Sequence, residues 1–175
     1  MNEVVLVTIE TVLLPVSDSD EDRLNRLIDT VLEIAAPTDA TVVVAHAIPE
    51  QDDGVVTTIP AISGGNYPQT LSQPEYDDLL DRYSDSDHSV DEVVSEHETV
   101  QSVTDRLDEA GVEYEVRGAV GDPSEAILEL AGDIDADRFV IGGSRRTPTD
   151  KAVFGSLSQT LLLEAPCPVT FVHGD

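Results

Sequence analysis

The residues from Gly142 to Ser156, Gly-Gly-Ser-Arg-Arg-Thr-Pro-Thr-Asp-Lys-Ala-Val-Phe-Gly-Ser, have the types and spacing to do chemistry, and that chemistry is anion binding. Three of the chain's nine cations, Arg145, Arg146 and Lys151, fall within seven residues. Between Arg138 and Leu163 there is one acidic residue, Asp150, although acids outnumber bases 36 to 9 overall. Gly155-Ser156 then opens a helix pattern. The unpaired N–H groups and positive dipole end at a helix start favour an anion. Glycine lets backbone approach a phosphate closely, and a serine hydroxyl adds a donor. A plainer reading is that these cations offset the acidic surface or form salt bridges across a dimer.

Strand and helix patterns alternate along the chain, which predicts an α/β fold with a parallel sheet between helical layers. Val12–Val16 reads as a first strand, leading into the N-cap-rich turn Ser17-Asp18-Ser19-Asp20. Leu24, Leu27, Ile28, Val31, Leu32 and Ala35 form a helical stripe that Pro37 ends. Thr41–Ile48 is a second, nearly continuous apolar strand. One helix is expected from about Val90 to Ala110, carrying Val93, Val94, His97, Val100 and Leu107 and stopped by Gly111. Glu113–Arg117 alternates as a third strand. A third helix follows, with Asp122 as N-cap, Pro123 at its first position, and Ala126, Ile127, Leu130 and Ile134 on its apolar face. Arg138–Gly142, Gly155–Ala165 and Val169–Val172 complete the series as strand, helix and strand.

Strands buried on both faces read as continuous apolar runs, whereas edge strands alternate or carry charge. The first, second and fourth strands are the apolar ones, so the expected order is 3-2-1-4-5. The flavodoxin-type order 2-1-3-4-5 would put the charged third strand inside. In such a sheet, ligands bind beyond the carboxyl ends of the strands where the winding reverses. That crevice lies between strands one and four, walled by Val16-Ser17-Asp18 and by Gly142 onward.

The Gly142–Val172 segment, with its closing Ala165-Pro166-Cys167-Pro168-Val169, resembles the C-terminal signature of the universal stress protein family. Leu14-Pro15-Val16 and Gly121-Asp122-Pro123 match it as well, so the similarity covers nearly the whole chain outside residues 49–87. The resemblance implies a three-layer, Rossmann-like α/β/α domain over residues 1–175 and a regulatory homodimer, paired here through strand 169–172. It also implies ATP or another adenine nucleotide as ligand, with Mg2+ as an accompanying cation. The family's loop runs Gly-x2-Gly-x9-Gly-Ser/Thr, which carries phosphate contacts onto Gly142, Arg145, Gly155, Ser156 and Leu157. It carries the adenine and ribose onto Pro15, Val16, Ser17 and the backbone near Ala47. Two positions depart from the family: Arg145 replaces the second glycine, and Ser17 replaces an aspartate. Arg145 either clamps a phosphate bidentately or fills the space a triphosphate needs. If it fills that space, the chain is a dimeric interaction module without nucleotide.

A net charge of −27 makes nucleic acid and anionic membranes poor partners and suits a salt-rich, halophilic cytoplasm. The N-terminus lacks a cationic n-region and no apolar run is long enough to cross a bilayer, so a cytoplasmic location is expected. Cys167, the single cysteine, excludes an intrachain disulfide and reads as a small buried hydrophobe. His46 and His97 read as satisfied core histidines, and His88 and His173 lack metal-ligand spacing. Residues 49–87 form either a lid or a mobile loop, whose Tyr67, Tyr76 and Tyr83 stack on a base or anchor it. Residues 1–10 are an added strand, an ordered arm or the product of an upstream start codon. No catalytic signature is present, so the chain is not expected to be an enzyme. A flavodoxin-like carrier is disfavoured because there is no tryptophan and no early Ser/Thr-rich phosphate loop.

Overall fold

The computed structural model describes residues 8–17, 23–48, 90–143 and 156–173. In chain order these form β1 (Thr11–Pro15), α1 (Leu24–Ala35) with a 3-10 turn (Ala36–Thr38), and β2 (Thr41–Ile48). They continue with α2 (Val90–Ser95), α3 (Glu98–Ala110), β3 (Tyr114–Val120), α4 (Pro123–Asp133), β4 (Arg138–Gly143), α5 (Ser156–Glu164) and β5 (Val169–His173). The strands make one parallel sheet in the order β3-β2-β1-β4-β5. This is the order expected from placing the two alternating strands at the edges.

The central strands are apolar throughout because both faces of the sheet are covered. On one face Val12, Leu14, Val16, Val42, Val44 and Val140 pack with Leu27, Ile28 and Val31 of α1 and Val100, Val103 and Leu107 of α3. On the other, Leu13, Val43, Ala45, Phe139 and Ile141 meet Ala126, Ile127 and Ala131 of α4 and Leu161 of α5. Each fully buried Leu, Ile, Val or Phe contributes roughly 1.5–3 kcal/mol relative to exposure.

Local signals set the helix ends. Asp122 is extended (φ −60°, ψ 124°) and its carboxylate accepts the N–H groups of Ser124 and Glu125, with Pro123 at the first helical position. Gly111 takes the left-handed conformation (φ 68°) that closes α3.

The expected single helix over 90–110 is two. His97 is extended (φ −68°, ψ 132°), its N–H donates to the Val94 carbonyl at 3.0 Å, and its carbonyl accepts Gln101 N–H at 2.9 Å. It therefore caps α3 instead of lying on a helix face. The break lets α2 turn onto the edge strand β3, where Asp91 accepts Gly118 N–H at 2.7 Å, while α3 covers the sheet face. β3 also runs three residues past Arg117, because its register with β2 continues from Val42↔Tyr114 to Ile48↔Val120.

Candidate functional site

β1 and β4 pair at Val12↔Arg138 and Leu13↔Phe139, and their register stops there. β4 continues to Gly143 and β1 to Pro15. The carboxyl ends of both strands thus run on past their paired register, at the point where the winding direction reverses, the position at which open α/β sheets hold ligands.

At that end stand Pro15 of β1 with Val16 and Ser17 just past it, Ala47 from β2 and Gly142 from β4. They are divided between the two faces. Val16 belongs to the core on the α1/α3 side, and Gly142 alternates with Val140 toward the same side. Ala47 belongs to the α4/α5 side, where strand alternation also places Pro15 beside Leu13. What these residues share at the mouth of the crevice is backbone. Ser17 is 3 % exposed.

α5 links the adjacent parallel strands β4 and β5, so it runs antiparallel to them and its N-terminus reaches the carboxyl end of the sheet. Ser156 and Leu157 are its first two residues. The first-turn backbone N–H groups of that terminus, which an α-helix leaves without an intrahelical acceptor, therefore lie at the same end of the sheet as Val16 and Gly142. Arg145, Arg146, Lys151 and Gly155 lie outside the described residues, as do Asp18, His88, Tyr67, Tyr76, Tyr83 and the rest of 49–87.

Gly143 was not singled out by sequence reasoning. A Cβ there would lie 1.9 Å from Cζ of Phe171, so the second glycine of the pair makes room for a ring on the neighbouring strand. Nothing local to Gly142-Gly143 announces this, since Phe171 is 28 positions away.

The two histidines read as core residues are in contact. Their rings stack with centroids 4.4 Å apart and planes 26° from parallel. His46 is buried, and its Nδ1 lies 2.9 Å from the carbonyl oxygen of Val16. Cys167 is half-buried against the α4/α5-side core and not enclosed as expected; burial, and then the Asp137 charge, raises its thiol pKa. The Tyr114 hydroxyl is raised chiefly by its hydrogen bond to Asp108. Both groups belong to the amino-terminal end of the sheet, away from the crevice. Among the described residues no group of three or more His, Cys, Asp or Glu is arranged for a metal ion. No helix among them is long and apolar enough to cross a membrane.

The sequence pattern of the Universal stress protein family matches residues 8–173. A "Universal stress protein" of Mycolicibacterium smegmatis is 42% identical over 78 residues, 43% of this chain and 60% of that protein's length. The "Stress response protein NhaX" of Bacillus subtilis is 28% identical over 162 residues, covering 89% of this chain and 93% of its own. Among solved structures, a universal stress protein in complex with cAMP superposes with a TM-score of 0.57 at 21% identity, covering 96% of this chain and 99% of that one. The universal stress protein from Archaeoglobus fulgidus in complex with dAMP does so at 0.56 and 19%, covering 95% and 98%. With the sheet order, the crevice and these matches together, the chain belongs to the universal stress protein family.

Proposed function

We propose that this chain binds an adenine nucleotide in the crevice beyond β1 and β4 and acts as a regulatory protein, not as an enzyme. One observation carries the reading: the β1 exit, Ala47, Gly142 and the N-terminus of α5 converge at one end of the sheet. The cationic segment Arg145–Lys151 joins two of these elements. Structural relatives crystallised with cAMP and dAMP support adenine as the base.

In this reading, Pro15, Val16, Ser17 and Ala47 take the nucleoside. Gly142, Arg145, Gly155, Ser156 and Leu157 take the phosphates, with backbone N–H groups and the helix dipole offsetting their charge. Mg2+ would accompany a triphosphate through the phosphate oxygens. Ser17 offers a neutral hydrogen bond where the family has a carboxylate, which lowers affinity for the nucleoside by about tenfold.

The reading treats residues 1–175 as one domain with 49–87 inserted into it. Two chains would pair through β5, a terminal strand of the sheet. The charge of −27 fits a cytoplasm rich in salt.

Titration calorimetry with ATP, ADP, AMP and cAMP in molar salt tests the proposal. Saturable heat and a matching thermal shift are expected for at least one of them. If none appears at millimolar nucleotide, the dimeric interaction module becomes the better reading, as Arg145 in place of glycine would favour. Binding gained by Arg145→Gly would then identify that side chain as the obstruction.

A further inference from the structure

We infer that His46 is a positioning residue that holds the exit of β1 and, through it, the nucleoside end of the crevice. His46 lies on β2 with Val42 and Val44 on the α1/α3 side of the sheet and is 4 % exposed. Its Nδ1 is 2.9 Å from the carbonyl oxygen of Val16, 30 residues earlier. A carbonyl oxygen only accepts, so Nδ1 carries the proton and donates. The N–H of Val16 donates in turn to the carbonyl of Ala45 at 2.8 Å. Both backbone polar groups of Val16 are therefore held by β2, one by its main chain and one by a side chain.

The imidazole is itself held in place. His97 stacks on it at 4.4 Å, and His97 is fixed by the helix break, with its N–H on Val94 and its carbonyl capping α3 through Gln101. A packed line thus runs from the α2–α3 break through His97 and His46 to Val16, and the next residue is the buried Ser17. Two imidazoles stacked nearly face to face present π surfaces to each other, and their lone pairs do not converge on a shared metal ion. The arrangement acts on backbone. Its consequence for ligand rests on the nucleotide reading above; its consequence for Val16 and Ser17 does not.

Three substitutions test it, because asparagine places its amide nitrogen near the position of Nδ1, glutamine places its own near Nε2, and leucine donates nothing. His46→Asn should keep nucleotide affinity within about twofold of the parent, while His46→Gln and His46→Leu lose roughly three- to tenfold. Equal losses in all three would show that the ring serves packing alone and would overturn the inference. Two ligand-free measurements on the same proteins keep this separate from the nucleotide proposal. Imidazole nitrogen NMR of the parent should show His46 protonated at Nδ1 at neutral pH, and a ring protonated at Nε2 alone would overturn the inference without any variant. Amide hydrogen exchange at Ser17 should quicken in His46→Leu and stay near the parent rate in His46→Asn. If no nucleotide binds but these two results hold, the nucleotide reading fails and the positioning role stands.

Discussion

The ring of Phe171 on β5 fills the space into which a Cβ on Gly143 of β4 would project, with Cζ 1.9 Å from that position. The two strands are neighbours in register, Gly143 facing His173, and the ring leans along its strand to reach the glycine. A small residue at the end of β4 thus serves sheet packing beside the proposed phosphate segment.

Gly143→Ala should destabilise the protein by about 1–3 kcal/mol, because a side-chain ring must swing out of a packed position. Phe171→Leu in the same chain should recover most of that loss. Denaturant unfolding of the two single variants and the double variant measures the coupling; strict additivity would mean that Gly143 is required for some other reason.

Ser17→Asp places a carboxylate just past β1, where the proposed nucleoside contact has only a hydroxyl. Nucleotide affinity should rise by about tenfold. Stability without ligand should fall, since Ser17 is 3 % exposed and a carboxylate there loses hydration. Calorimetry and thermal melts read the two effects separately. Unchanged affinity would remove Ser17 from the nucleoside contacts.

The Asp122 cap should show a pH signature. Its carboxyl is held below the ordinary aspartate range, first by the hydrogen bond from the Ser124 hydroxyl and then by the Glu125 amide. A depressed folded-state pKa gives stability that is fully present above the unfolded value, about 3.9. That stability is lost as pH falls through the folded value. Asp122→Ala should cost about 1 kcal/mol at neutral pH. The gap to the parent should narrow as acid is added below pH ~4. Asp122→Asn keeps the cap without the titration, so its gap to Ala should stay flat over the same range.

The two faces of the sheet should behave independently. Leu107→Ala, on the α1/α3 side, should cost about 2–5 kcal/mol, and Ile127→Val, on the α4/α5 side, about 0.5–1.5 kcal/mol. The residues belong to separate core clusters, so the double variant should show the sum within about 0.5 kcal/mol. A larger discrepancy in urea unfolding would show that the strands transmit strain between layers.

Sheet order was legible in the sequence because it depends on how many faces of each strand are buried. Continuous runs such as Thr41–Ile48 need cover on both sides, and Glu113–Arg117, alternating and charged, does not. The ends of α4 and α3 were legible for the same kind of reason: Asp122-Pro123 and Gly111 act on backbone within a few residues of themselves. The carboxyl-end crevice follows from sheet order alone.

The break at His97, the grip of His46 on Val16 and the fit of Phe171 over Gly143 had no such signature. His97 has helical spacing relative to Val93, Val94 and Val100, and the periodic pattern continues across it without interruption. Only a partner 51 positions away, His46, distinguishes it from a residue on a helix face. The sequence by itself determined which segments are apolar, how they alternate and where helices are capped, because those preferences are settled between near neighbours. The tertiary structure decided which side chains replace backbone partners and where a glycine must stay a glycine, because those depend on groups brought together by folding.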